Sequence, residues 1–227
     1  MSLAANALTT LSDVKGELGV SDSDSDSYLE NLIDSVSAEI ESFLGRKLGF
    51  SSGHVEDVAG FGGYRIRLSR LPVISLTSVE MVDPWIPSGT IDVADLSIED
   101  PDAGWVYYRA GFPWTVPCPP GTISGHPLAG QEQQSIRVTY DGGYELPSAS
   151  VPTLPLDIRR AATISVSTLY RQRGRDLTVK REQIMNYSVT YFNAIGDTAT
   201  QAKMYPATSL PTAAAMMLLP HRKIAGV

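Results

Sequence analysis

The sequence predicts an α+β protein in which a small α-helical bundle, made of N-terminal and C-terminal helices, is interrupted by a β-rich insertion. Three observations carry this. Residues 28–44 repeat apolar side chains at three- and four-residue spacing, residues 51–150 replace that period with short alternating runs among dense glycine and proline, and helical spacing returns near residue 156. At 227 residues the chain can bury a core without disulfide or metal staples. It reads as a single domain over 1–227, with a helical body at 8–50 and 153–227 and the insertion at 51–150.

The first element is a short helix in "TTLSDVKGELGV", where Thr10 or Ser12 can cap, Leu11, Val14 and Leu18 lie near one face, and Gly19 stops it. Next comes "SDSDSDS", with Asp22, Asp24 and Asp26 at every second position, as at the start of an EF-hand calcium loop. Counted from Asp22, the sixth place is Ser27 instead of glycine and the twelfth is Ile33 instead of glutamate, so no calcium site is expected. The repeat instead starts a helix, where an Asp or Ser accepts from free N–H groups and negative charge opposes the positive end of the dipole. Tyr28, Leu29, Leu32, Ile33, Val36, Ile40, Phe43 and Leu44 form its apolar stripe, with Glu30, Asp34, Glu39 and Glu41 between them. Gly45 is the expected C-cap, and Arg46 and Lys47 add positive charge at the negative end.

Within the insertion, "YRIRLSRL", "VISLTSVEMV", "WVYYRAG" and "SIRVTYDGGYEL" read as strands, the last with Ile136, Val138 and Tyr140 on one face. "GFGG" at 60–63 reads as a tight turn, "EDPDAGW" as a turn between strands, and "TVPCPPGTISGHPLAGQEQQ" as a long loop. A helix then follows the prolines of "SVPTLPLD", and Ile158, Ala161, Ala162, Ser165, Leu169 and Tyr170 keep its spacing. The small residues 161, 162 and 165 let another helix approach closely. After a basic stretch, "RQRGRDLTVKR", the run "NYSVTYFN" alternates as a strand, and "LPTAAAMMLLPHRKIAGV" gives a short helix with a basic tail.

Composition narrows the function. A hydrophobic share of 43% against 19% charged places the chain with folded proteins, and a net charge of −7 argues against a general grip on nucleic acid. A single cysteine, Cys118, excludes an intramolecular disulfide. The N-terminus lacks the basic start and apolar core of a signal peptide, and the run from Ala213 to Leu219 is far shorter than the ~20 residues that span a bilayer. The expectation is a soluble, non-secreted chain.

Chemistry finds little to work with. His54, His126 and His221 stand far apart with no His or Cys at ligand spacing, so neither a metal nor another cofactor is expected. Cys118 lies between Pro117 and Pro119 with only His126 nearby, and Glu99, Asp100 and Asp102 have the setting of a turn. No catalytic residue is assigned.

Four stretches in succession carry a family resemblance: "LTTLSDVKGELGVSDSDSDSYLENLIDSVSAEIESFLGRKLG", "RLPVISLTSVEMVD", "IRVTYDGGYELPSASVPTLPLDIRRAATISVSTLYRQRGRD" and "MNYSVTYFN". From about Leu8 to Tyr191 the chain resembles the head–tail connector, or adaptor, proteins of tailed bacteriophages and phage-like gene-transfer particles, in the long variants with a β-rich insertion. The resemblance implies a structural virion protein at the head–tail interface, assembled in the host cytoplasm, with no enzyme activity. Its implied partners are the portal protein, a stopper or tail-completion protein, and further copies of itself, commonly twelve in a ring. DNA would pass through the channel without specific binding, a role that an acidic chain suits, and no membrane is involved. It gives Leu218, Leu219, His221, Arg222 and Lys223 a portal-docking role, and Arg159, Arg160, Arg171 and Arg173 a place in or near subunit contacts. A C-terminal segment packed on its own domain is the simpler alternative for the first group. Two other functions stand beside this one: a different joining protein such as a stopper or tail-completion factor, against which the helical frame speaks, and an enzyme or sugar-binding module using the β-rich insertion with Trp85, Trp105 and Trp114 as stacking aromatics.

Overall fold

The computed structural model describes residues 3–59, 62–82, 89–112, 134–173, 181–184, 187–190 and 210–222. The chain forms two compact units: Met1–Arg46 together with Glu145–Val227, and Lys47–Tyr144. Helices lie at both ends of the chain and antiparallel strands between them, as the α+β expectation requires.

In the first unit, α1 spans Leu11–Leu18. Thr10 caps it by accepting from the Asp13 amide at 3.1 Å, while the Asp13 carboxylate accepts from the Thr10 amide at 3.4 Å and from its hydroxyl at 2.7 Å, so two otherwise orphaned N–H groups are satisfied. Gly19 ends the helix at φ 69°, a left-handed conformation that glycine reaches without steric cost. Helix α2 spans Asp26–Leu44 and closes on Gly45 as expected. Its start differs from the expectation: Ser25 makes no side-chain capping bond, and the Asp26 carboxylate instead accepts from Lys15 Nζ at 2.6 Å. The charge near the helix start is present, but a lysine of α1 answers it.

Helix α3 spans Leu156–Arg171, and α4, a seven-residue helix, spans Thr212–Leu218. Leu29, Ile33, Val36, Ile40 and Leu44 of α2, Ile158, Ala161, Ala162 and Val166 of α3, Leu218 of α4 and Val14 of α1 are all buried. Helix α3 is the hub, packing on the other three. Its alanines let those neighbours come close, and each apolar side chain removed from water contributes about 1.5–3 kcal/mol. One polar member was misplaced by the stripe: Glu41 is buried at 4% exposure, not on the outer face. Strands β8 (Arg181–Ile184) and β9 (Tyr187–Thr190) pair antiparallel, the second inside the run expected to be a strand.

The second unit holds β1 (Ser51–Ala59), β2 (Arg65–Arg67), β3 (Val73–Met81), β4 (Gly89–Ile91), β5 (Leu96–Asp100), β6 (Trp105–Tyr108) and β7 (Gln134–Gly142). They form an antiparallel sheet in the order β1-β7-β3-β4 and a second in the order β2-β6-β5. Ile136, Val138 and Tyr140 share one face of β7 and are fully buried, against Val73, Val79, Ile66, Val106 and Phe112. The "EDPDAGW" stretch does make the turn between β5 and β6, with Gly104 at φ 77°. The "GFGG" turn and the long proline-rich loop fall wholly or partly outside the described residues.

Candidate functional site

The helical unit carries the residues to which the family resemblance assigns interaction roles, and the structure sorts them by what they touch. Arg159 lies one turn into α3 and reaches back to α1, placing Nε at 3.0 Å and Nη2 at 2.5 Å from Asp13 Oδ2. Partial burial pushes the Asp13 carboxyl up, but hydrogen bonds from Arg159 and Thr10 outweigh it and hold the group below the usual carboxylate range. Arg159 therefore ties α3 to the capping box of α1 within one chain.

Arg171 Nη2 donates to the Glu17 carbonyl at 3.3 Å. The Arg173 guanidinium sits 4.7 Å from the Tyr28 ring centre, and Tyr28 in turn leans on Tyr170, whose hydroxyl bonds Ser25 Oγ at 3.0 Å. Tyr28, expected in the apolar stripe, thus forms an exposed aromatic cluster at the start of α2. Arg160 is exposed on the outer side of α3 and has no ion-pair partner among the described residues.

The C-terminal group divides likewise. Leu218 is fully buried in the core of its own unit, while Leu219, the next residue, is 36% exposed. His221 Nε2 lies 2.5 Å from Asp157 Oδ2 in the first turn of α3. Burial pushes the Asp157 carboxyl up, yet the hydrogen bond and charge of His221 prevail and hold it low. The Arg222 guanidinium lies 5.4 Å from the Phe43 ring centre. Lys223 lies outside the described residues. The segment before it is folded against its own helices.

Sequence reasoning missed two strongly exposed apolar side chains on helices of this unit, Leu156 at 78% and Met216 at 63%. The signal was present, because a stripe at 158, 161, 162 and 165 leaves 156 and 160 on the opposite face of the same helix.

The insertion offers no gathered chemistry among its described residues. Arg67 covers the Trp105 ring at 5.8 Å, Trp85 and Trp114 are outside the described residues, and so are Cys118 and His126. The Arg65 guanidinium holds Glu99 through two bonds at 2.5 and 2.6 Å, Asp100 accepts from the Ala103 amide at 3.0 Å, and His54 stands edge-on to Tyr140. These are contacts that hold turns and strands. No group of three metal-ligating side chains occurs among the described residues.

Comparison with known proteins follows the fold. Residues 8–64, which contain α1, α2 and β1, match the family profile described as Phage gp6-like head-tail connector protein. Two solved structures share the fold at 14% identity, each with 100% of this chain and 95% of the other covered. One is a chain from the neck of an empty GTA particle computed with C6 symmetry, at a TM-score of 0.53, and the other is from the virion of a native gene transfer agent particle, at 0.50. No curated protein matches the chain. The match to a head-tail connector family thus lies over residues 8–64, and the fold of the whole chain is shared with chains of GTA particles.

Proposed function

We propose that the chain forms a ring beneath the portal of a DNA-filled head, extends the DNA channel, and joins the head to the stopper or tail-completion protein. The observation that carries this is the family match over α1, α2 and β1, of which the two helices pack against α3 in the helical body. Head-to-tail contacts between identical subunits close into rings when the rotation per subunit divides the circle, and twelve copies are the number expected here. A net charge of −7 suits a conduit through which DNA slides without sequence-specific grip. The reading assigns the protein no reaction, and it places assembly in the host cytoplasm.

Portal docking falls to exposed Leu219 and Arg222 and to partly buried His221, followed in the sequence by Lys223, while buried Leu218 anchors the segment to its helices. Among the four arginines, Arg159, Arg171 and Arg173 each hold a group of their own chain (Asp13, the Glu17 carbonyl and the Tyr28 ring), while exposed Arg160 has no such contact among the described residues, so we assign Arg160 to a subunit contact. Cryo-electron microscopy of the particle neck tests the reading. It is supported by density for a ring of this chain directly below the portal and overturned by a neck in which another protein fills that position.

A further inference from the structure

Helix α4 is apolar on every side, although its own unit buries only one of them. From Leu210 to Pro220 the only polar side chain is Thr212. Pro211, Ala214, Ala215 and Leu218 share one face and are buried. On the opposite face Ala213, Met216 and Pro220 are exposed, Met216 at 63%, and Met217 is half-buried. Helices α1 and α3 carry charge where they are exposed, in Glu17, Asp157, Arg160 and Arg171. A helix that is apolar all round is ordinarily buried all round, so the outer face of α4 is built to be covered.

The pattern of that face says how. Residues 213, 216, 217 and 220 recur at i, i+3, i+4 and i+7, the spacing by which a helix lays one face into an apolar groove. Methionine suits such a contact, because its unbranched thioether chain adapts to the shape it meets. The helix is also held in place beforehand. Leu218 is fully buried, His221 Nε2 lies 2.5 Å from Asp157 Oδ2, and the Arg222 guanidinium lies 5.4 Å from the Phe43 ring centre. Little ordering is left to lose on docking. Leu219, three residues after Met216, and Arg222 belong to the portal-docking group, so a partner that meets them also meets this face. Positive charge follows the apolar part instead of interrupting it, in Arg222 and Lys223.

We propose that α4 docks by Ala213, Met216, Met217 and Pro220 into an apolar groove of the portal, with carboxylates at the end of the groove where Arg222 and Lys223 arrive. The inference rests on the portal reading and deepens it. The anchoring contact is an apolar helix face made of residues outside the group that the resemblance assigns, and the cations at its rim set orientation.

The test uses particles assembled from the full chain with the photo-reactive residue p-benzoylphenylalanine in place of exposed Met216, and circular dichroism of the purified chain checks folding. Irradiation is expected to join the chain to the portal, identified by mass spectrometry of the adduct. A ring visible in the neck whose adduct lies on a second copy, on another virion protein or nowhere overturns this contact and leaves the ring intact. Particles with no ring of this chain overturn both. Met216→Glu is expected to lower incorporation into particles about tenfold or more, while Met216→Leu, which keeps the apolar bulk, stays within about twofold of the parent. Equal incorporation of the two variants overturns the proposal. So does release of the chain from the portal at about 1 M salt, where charges are screened within about 3 Å and an apolar contact persists.

Discussion

Tyr140→Phe removes one oxygen from a side chain that is fully buried in the second unit, and the structure fixes what that oxygen does. The hydroxyl donates to Glu56 Oε2 at 2.6 Å and accepts from the Arg70 amide at 3.0 Å, joining β7 to β1 and to the segment ahead of β3. Phenylalanine keeps the ring and leaves no cavity, so the loss is polar. A hydrogen bond to a charged group contributes about 1.5–3 kcal/mol, and the Arg70 amide is left without its acceptor, giving an expected loss of about 2–3 kcal/mol. Urea unfolding measures it, with a lower midpoint and an unchanged slope. Glu56→Gln retains an acceptor for Tyr140 and is expected to cost less, and the double variant should show a coupling of about 1 kcal/mol.

The same hydroxyl gives a pH signature. Burial and the bond to Glu56 raise the Tyr140 pKa above its ordinary value of about 10. Its contribution is therefore fully present below pH 10 and is lost as pH rises from there through the folded value, because the unfolded chain ionises first. Tyr140→Phe should flatten that alkaline loss. A variant within 0.5 kcal/mol of the parent, with the same alkaline limb, would refute the reasoning.

Four further substitutions test other parts of the structure. Gly104→Ala places a Cβ 2.6 Å from the Leu68 carbonyl oxygen at φ 77°, whereas Gly53→Ala at φ 61° meets open space. Thermal unfolding should show the first at least 1 kcal/mol more damaging than the second, which bears only the left-handed penalty of about 1–2 kcal/mol. Ala161→Leu forces a larger side chain between α3 and its neighbours and should cost about 1–3 kcal/mol by urea titration. Asp157→Asn removes a carboxyl held low by His221, a half-exposed pair whose contribution is at most about 1 kcal/mol. That contribution is present above the ordinary aspartate value and is lost as pH falls through the lower folded one, so the variant should match the parent in strong acid and fall below it near neutrality.

The fold was legible where one face is apolar and the other is not. Helix α2 and strand β7 show this, since Ile33, Val36 and Ile40 in the first and Ile136, Val138 and Tyr140 in the second are all essentially buried. Strand β1 was not legible, because "SSGHVEDVA" is held largely by polar partners. Glu56 takes the Tyr140 hydroxyl, and Asp57 takes Arg137 through bonds at 2.8 and 3.0 Å. Neither leaves a hydrophobic pattern. For the site, Arg159 is bound to Asp13, 146 positions away, a pairing that local spacing cannot disclose. The exposure of Leu156 and Arg160 was readable in principle, as both lie opposite the buried stripe of α3.

The joining role is tested most directly by electron microscopy of particles from a producer in which this gene alone carries a stop codon. The account predicts heads that package DNA but leak it or lack tails, beside complete free tails. Normal tailed particles would contradict it.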